Sequence, residues 1–171
     1  LEKIPQLKPA FKESGTVTAA NASSISDGGA AVVLMRNSEA LTRGIKPLAK
    51  IISHVSHSQE PSEFTMAPIG AIEKLMSKAN WKISEVDLFE INEAFAVVSM
   101  ASIQTLGIDH SIVNINGGAC ALGHPIGCSG ARIIVTLLAA LQNNNLNRGV
   151  ASLCIGGGEA TALALELIDA S

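Results

Sequence analysis

A chain of 171 residues has the length of one ordinary domain, able to bury about 70% of the surface its unfolded form exposes. Hydrophobic residues make up 47% and aromatics only 3%, so the core is built from Ala, Val, Ile and Leu; this suits packed layers of helix and sheet and excludes a disordered chain. The formal net charge of −3, without any Lys/Arg cluster, excludes a nucleic-acid surface, and no stretch of about 18 apolar residues runs free of charges or polar breakers, so no membrane span is expected. Three cysteines without a signal-like apolar start imply free thiols in a reducing compartment. The chain opens on Leu1 and not on methionine, which reads as a piece of something longer.

In chain order, LEKIPQLKPAFKESG is extended and punctuated by proline, with the character of a linker. TVTAAN (16–21) reads as a strand, Ser26 and Asp27 as the cap of a short helix over 28–31, and VVLM as a buried strand. IKPLAKIISHVSHS (45–58) alternates in the manner of a strand. APIGAIEKLMSKAN (67–80) sets Ile69, Ile72, Leu75, Met76 and Ala79 at helical spacing, with Pro68 tolerated in the first turn. DLFEI (87–91) is a strand and AFAVVSMASIQTLG (94–107) a helix. SIVNI is a further strand, a helix starts near Ser129, and VASLCI and TALALELI are two last strands that pair as a hairpin. Strands alternating with helices predict an α/β layered fold with a five-stranded mixed sheet and helices on both faces.

Two glycine-rich turns carry the chemistry. His124 lies between Gly123 and Pro125, and Cys154 ends an apolar run followed by Gly156, Gly157 and Gly158. A side chain at a strand end, beside bare backbone N–H groups, is suited to developing negative charge. GACALGHP matches half of a phosphate-binding loop but puts His124-Pro125 where Lys-Ser/Thr belongs, and the triglycine precedes a strand, so nucleotide sites of both kinds are excluded. Cys120, His124, Cys128 and Cys154 formally make a Cys₃His zinc set, yet the nearest cysteines are too far apart for the usual paired ligands, and no metal is expected. Cys120 and Cys128 read as small hydrophobes, His54, His57 and His110 as surface residues, Trp81 as a partly buried packing residue, and Glu93 as a carboxylate supporting its loop.

NASSISDGGAA, NEAFA, NINGGACALGHPIGCSGAR and CIGGG, in that order and at that spacing, resemble the thiolases, the acetyl-CoA C-acetyltransferase and 3-ketoacyl-CoA thiolase family. The resemblance covers nearly the whole chain but only the C-terminal part of a thiolase. It implies that residues 1–25 are the end of the loop domain, 26–45 the last segment of the N-terminal domain and 46–171 the C-terminal domain of the αβαβα thiolase fold. It further implies Claisen condensation of two acetyl-CoA to acetoacetyl-CoA, and the reverse thiolysis. Cys154 matches the cysteine that removes the proton from the second acetyl-CoA, and the N–H groups after it are expected to favour its thiolate. Gly156 matches an N–H donor to the acyl-enzyme's carbonyl oxygen. His124 matches the histidine that activates the nucleophile and donates to the thioester oxygen. Asn92 matches a residue holding a water at that oxygen, and it also stands where it can cap the helix near Ala94. Ser23 resembles a contact to the pantetheine arm of coenzyme A, and Ala94 and Phe95 walls of its tunnel. The acyl-accepting Cys-x-Ser-Gly motif is absent, so the chain alone is expected to be inactive and to need an N-terminal thiolase half as partner, within a homodimer or homotetramer. No cofactor is implied beyond the coenzyme A thioester, which is the substrate. Thr65-Met66-Ala67 and GGGEATALA depart from the commoner Gly-Thr-Gly and GGGMGVA, which favours the acetoacetyl-CoA enzyme over a degradative 3-ketoacyl-CoA thiolase of broader chain length or a non-catalytic CoA-binding fragment. The expected compartment is the cytoplasm, with the mitochondrion as alternative.

Overall fold

The computed structural model describes residues 2–168. Four strands, β1 (Ala49–Ser58), β2 (Leu88–Ile91), β3 (Arg148–Ile155) and β4 (Glu159–Leu167), form one mixed sheet in the order β1-β4-β3-β2. β3 and β4 pair as the expected antiparallel hairpin, β1 pairs antiparallel with β4, and β2 runs parallel to β3. The helices are α1 (Asn37–Thr42), α2 (Ala67–Ala79), α3 (Ala96–Leu106), a single turn α4 (Ala119–Leu122) and the long α5 (Ile126–Asn144).

Period-two alternation divides the sheet into two apolar faces. Phe89, Ile91, Val150, Cys154, Ala160, Ala162 and Ala164 cluster with Ile72, Leu75 and Met76 of α2 and Val98 of α3. Leu88, Ala151 and Leu165 meet Ile133, Leu137, Ala140 and Leu141 of α5. The alanines of β4 let the all-apolar face of α2 sit close, which is how a chain with so few aromatics fills its core. Helix α2 matches the predicted spacing and ends at Asn80, whose φ of 56° closes it in the left-handed conformation. By length and composition α5 is long and apolar enough to cross a membrane; here its apolar stripe lies on the sheet.

The fifth strand is not formed, because SIVNI contributes one bridge and then turns. Val113 bridges Phe89, the Asn114 N–H donates to the Phe89 carbonyl at 2.9 Å, and Asn114 then takes φ of 50°. From there its side-chain amide stands in for a strand. Nδ2 donates to the Ile91 carbonyl, and Oδ1 accepts from the Ile91 N–H, both at 2.8 Å.

The segment before α1 also departs from expectation. Among the described residues TVTAAN makes no strand, 28–31 no helix, and 32–35 is exposed and without regular structure. Pairing partners for such strands must come from neighbouring chain, and the described residues supply one bridge, Ala22 with Phe95. Helix α5 begins at Ile126, three residues before the expected start, because Pro125 already has the extended conformation of an N-cap and its carbonyl accepts from Ser129 N–H at 2.9 Å. His57 is not a surface residue: its ring lies over Gly70 of α2, in space a Cβ there would fill, and Nε2 is 3.0 Å from Gln59 Oε1. His54 and His110 are exposed as predicted, and Trp81 is half-buried under the Arg148 guanidinium, 4.8 Å from its ring centre.

Leu137 is wholly buried between α5 and the sheet. Leu137→Ala is expected to lower stability by about 2 to 5 kcal/mol, measured by denaturant unfolding, with little change in the m-value.

Candidate active site

The parallel pair β2 and β3 sends its C-terminal ends to one edge of the sheet, and the three residues expected to act lie there. Asn92 follows directly on β2, with its N–H donating to the Ser152 carbonyl at 2.9 Å, so it stands beside the end of β3 that carries Cys154. The Asn92 side chain does not cap α3, whose first turn begins at Ala96 without a side-chain cap; it turns toward His124, with Nδ2 3.4 Å from His124 Nε2. Cys154 belongs to the apolar cluster on the α2 face, whereas Glu90, two residues before Asn92 on β2, reaches α5 on the other face. The site thus draws on both faces of the sheet at its edge.

His124 is held from two directions. Its backbone N–H donates to the Ser24 carbonyl at 3.0 Å, and its Nδ1 lies 2.6 Å from Ser129 Oγ in the first turn of α5. The Ser129 hydroxyl also lies 3.1 Å from the Pro125 carbonyl, so it can donate there while accepting from His124 Nδ1. In that arrangement Nδ1 carries the hydrogen and Nε2 turns its lone pair to the Asn92 amide. Burial lowers the His124 pKa from its ordinary value, and the nearby Arg132 cation lowers it further, so the neutral ring is the resting form.

Burial pushes the Cys154 thiol the other way, above its ordinary value, and its local backbone hydrogen bond offsets this only in part. Desolvation dominates because the sulfur lies in the apolar layer and not out on the turn. Gly156 sits exposed on the turn after β3. The turn's shape is set by Gly158, with φ of 87° and a missing Cβ that would strike the Gln59 carbonyl.

Ser23, Ala94 and Phe95 are brought together. Ser23 N–H and Oγ both donate to the Ala94 carbonyl, at 3.1 and 2.8 Å, and Phe95 makes edge contacts with Phe11 and Phe64. Glu93 supports its loop as predicted: it accepts from Asn114 Nδ2 and from the Cys120 N–H, each at 3.1 Å, and so satisfies the start of α4. The Cys₃His alternative is not assembled, since among the described residues no three His, Cys, Asp or Glu side chains gather as metal ligands. Cys128 is buried and Cys120 half-buried, each a free thiol.

Three residues without a role in the sequence reading, two from the His124 motif and one from the strand DLFEI, complete the constellation. Ser129 fixes His124, Arg132 donates from Nη2 to Asn92 Oδ1 at 3.2 Å, and Glu90 meets Arg132 Nη1 at 3.4 Å. Glu90 is 2% exposed, and burial pushes its pKa up to about 7 against the opposing effect of Arg132. A glutamate inside the otherwise apolar run DLFEI was the signal available in the sequence.

These features bring a histidine, an asparagine and a cysteine to one end of a layered α/β sheet, and comparison with known proteins gives the chain a family. The thiolase C-terminal domain matches residues 45–167, and the thiolase N-terminal domain matches residues 1–38. This chain belongs to the thiolase family. It is 58% identical over 165 residues to "Probable acetyl-CoA acetyltransferase" of Dictyostelium discoideum, covering 96% of this chain and 40% of that protein. It is 53% identical to the cytosolic acetyl-CoA acetyltransferase of Mus musculus, covering 97% and 42%. The crystal structure of the Bacillus anthracis acetyl-CoA acetyltransferase superposes with a TM-score of 0.94 at 45% identity, over 98% of this chain and 42% of that one; human mitochondrial 3-ketoacyl-CoA thiolase does so at 0.90 and 35%, over 98% and 43%. The chain spans about 40% of the length of the curated relatives it matches.

Because its pKa is lowered, His124 stays neutral to a pH below that of an ordinary histidine. Titration followed by the ring proton signals is expected to give a midpoint under 6.5, and Ser129→Ala, which strands a buried Nδ1–H, to cost about 1 to 3 kcal/mol of stability.

Proposed function

We propose that this chain is the C-terminal part of an acetyl-CoA acetyltransferase, which condenses two acetyl-CoA to acetoacetyl-CoA and coenzyme A and catalyses the reverse thiolysis. The observation that carries the reading is His124, held at Nδ1 by Ser129 and facing the Asn92 amide with Nε2, at the strand ends that also bear Cys154. Support for the acetyl-specific enzyme over a 3-ketoacyl-CoA thiolase of broader chain length comes from the higher identity to proteins named as acetyl-CoA acetyltransferases.

The proton bookkeeping closes on these residues. In acylation, a cysteine outside this chain attacks the thioester carbonyl of the first acetyl-CoA while His124 Nε2 takes its proton. Coenzyme A leaves as a thiolate and receives a proton from Cys154, which rests as the thiol because it is buried. Cys154 is then a thiolate in an apolar setting and hence a strong base. It removes a proton from the carbon next to the second thioester, and the electron pair moves to the thioester oxygen, where the protonated His124 and the Asn92 amide, directly or through water, are placed to donate. The enolate carbon attacks the acyl carbonyl, the carbon–carbon bond forms and the acyl–sulfur bond breaks. The departing cysteine takes the His124 proton, and both groups return to their resting states. No bound cofactor enters; the coenzyme A thioester is the substrate, and Ser23, Ala94, Phe95 and the Gly156 N–H serve its binding and the acyl carbonyl.

The partner in this reading is an N-terminal thiolase half. An apolar groove of about 530 Å³, lined by Val32, Leu34, Met35, Leu48, Ile134 and Leu138 among others, supports a partner of that kind. The assembled protein forms homodimers or homotetramers and works in the cytosol, a reading supported by the name of its mouse relative.

Two outcomes test the proposal. The isolated chain is expected not to cleave acetoacetyl-CoA above the buffer rate, since it lacks the acyl-accepting cysteine. In the longer polypeptide, Cys154→Ser is expected to leave acylation largely intact, because a thiolate departs without help, while condensation nearly stops. His124→Ala is expected to impair both steps. Rapid-quench labelling with radioactive acetyl-CoA beside steady-state condensation reads both, and parent-rate condensation by the Cys154→Ser enzyme would refute the assignment.

A further inference from the structure

Helix α5 meets the end of β2 through polar side chains beside an otherwise apolar interface. Glu90 on β2 and Asn92 just after it, two apart, both meet Arg132 of α5, and Ser129, one turn earlier on the helix, meets His124. Ser129 takes His124 Nδ1, and Arg132 forks between Glu90 Oε2 and Asn92 Oδ1. The Arg132 side chain is 17% exposed and Glu90 2%, so neither charge is satisfied by bulk water.

An asparagine amide can face its neighbours in either of two ways, and the direction decides what His124 sees. A guanidinium has five donors and no acceptor, so the atom of Asn92 turned to Arg132 must be the oxygen. The N–H₂ group is thereby turned to His124 Nε2. With the opposite orientation, the amide oxygen would confront the Nε2 lone pair, and relief would come by moving the ring proton from Nδ1 to Nε2.

We infer that Arg132, anchored on Glu90, is a positioning residue: it fixes the Asn92 carboxamide with its N–H₂ toward the reacting oxygen and thereby holds His124 in the tautomer with a free Nε2. Arg132 touches no reacting atom. Its kinetic consequence rests on the acetyl-transfer reading above, but its effect on the ring of His124 does not.

The test uses the longer thiolase polypeptide that carries this sequence, labelled with [15N]histidine and assigned by difference against His124→Gln. Solid-state NMR of the ring nitrogens distinguishes the two neutral tautomers. The parent is expected to show His124 protonated at Nδ1. Arg132→Met is expected to shift His124 mainly to the Nε2–H form and to lower kcat for condensation by about 100-fold, the size of effect typical of one lost oxyanion donor, with KM for acetyl-CoA little changed. Arg132→Lys, which keeps the charge but cannot fork to both partners, is expected to show the same changes in smaller measure and serves if the methionine variant does not fold. Asn92→Asp, with an acceptor in either orientation, gives the reference spectrum for a displaced proton. A parent-like ring pattern in whichever folded variant is measured overturns the inference, as does parent-like kcat in a condensing enzyme. Should the parent itself fail to condense, the acetyl-transfer reading falls, and the ring pattern still decides the role of Arg132.

Discussion

Everything at the site hangs on where one guanidinium goes when α5 is laid on the sheet. Ile133, Leu137, Ala140 and Leu141 drive that docking, and the same helix carries Arg132 down with them. A cation buried this way requires partners, and β2 offers a carboxylate and an amide oxygen on alternate residues. With Arg132 bonded to both, α5 is tied to the end of β2 at a point beside its apolar stripe. Ser129 then has only one place to be, and with it His124. Apolar packing supplies the free energy of the layer, while the ion pair and its amide select the register in which the layer is useful.

The backbone around the site is organised in the same economical way. Residues 21–24 of the leading segment tie down the loop after β2, through the bonds of Ser23 to Ala94 and of Ala96 to Asn21, and the His124 turn, through the bond of His124 to Ser24. The cluster Glu93, Asn114 and Cys120 links the end of β2 to α4. Asn92 is therefore flanked by two independently braced loops, and its own backbone belongs to the continuation of the sheet ladder. His124 is half-buried rather than enclosed, consistent with a group that must meet a substrate from outside.

Long periodic segments were legible in the sequence because their environment is the chain itself. Helix α2, helix α3 and the β3–β4 hairpin bury their apolar positions against one another, so spacing alone specified them. The segments that misled were those whose partners are of another kind. SIVNI has strand-forming residues, yet Asn114 bends away after one bridge and returns a side chain in place of backbone. TVTAAN and VVLM have strand composition and, among the described residues, no ladder to join. At the site, His124, Cys154 and Asn92 were visible because motifs bracket them. Arg132 and Glu90 were not assigned roles, since their meeting depends on how a helix crosses a strand 42 positions away in sequence, which no local pattern reveals. The raised pKa of Cys154 was hidden for a related reason: the glycines beside it are evident in the sequence, whereas the apolar layer around its sulfur is not.

The amide of Asn114 also bears on how such sheets avoid polymerising. A terminal strand normally offers unsatisfied N–H and C=O groups that recruit any extended segment nearby, the starting point of fibril growth and of exchanged-strand oligomers. On β2 the outward carbonyl of Phe89 and both outward groups of Ile91 are already engaged by Asn114. The edge next to the chemistry is therefore closed to templating. Recruitment is left to β1, three strands away across the sheet, where Lys78 of α2 already occupies the His54 carbonyl. A strand that added itself there would lengthen the assembly without reaching the catalytic edge.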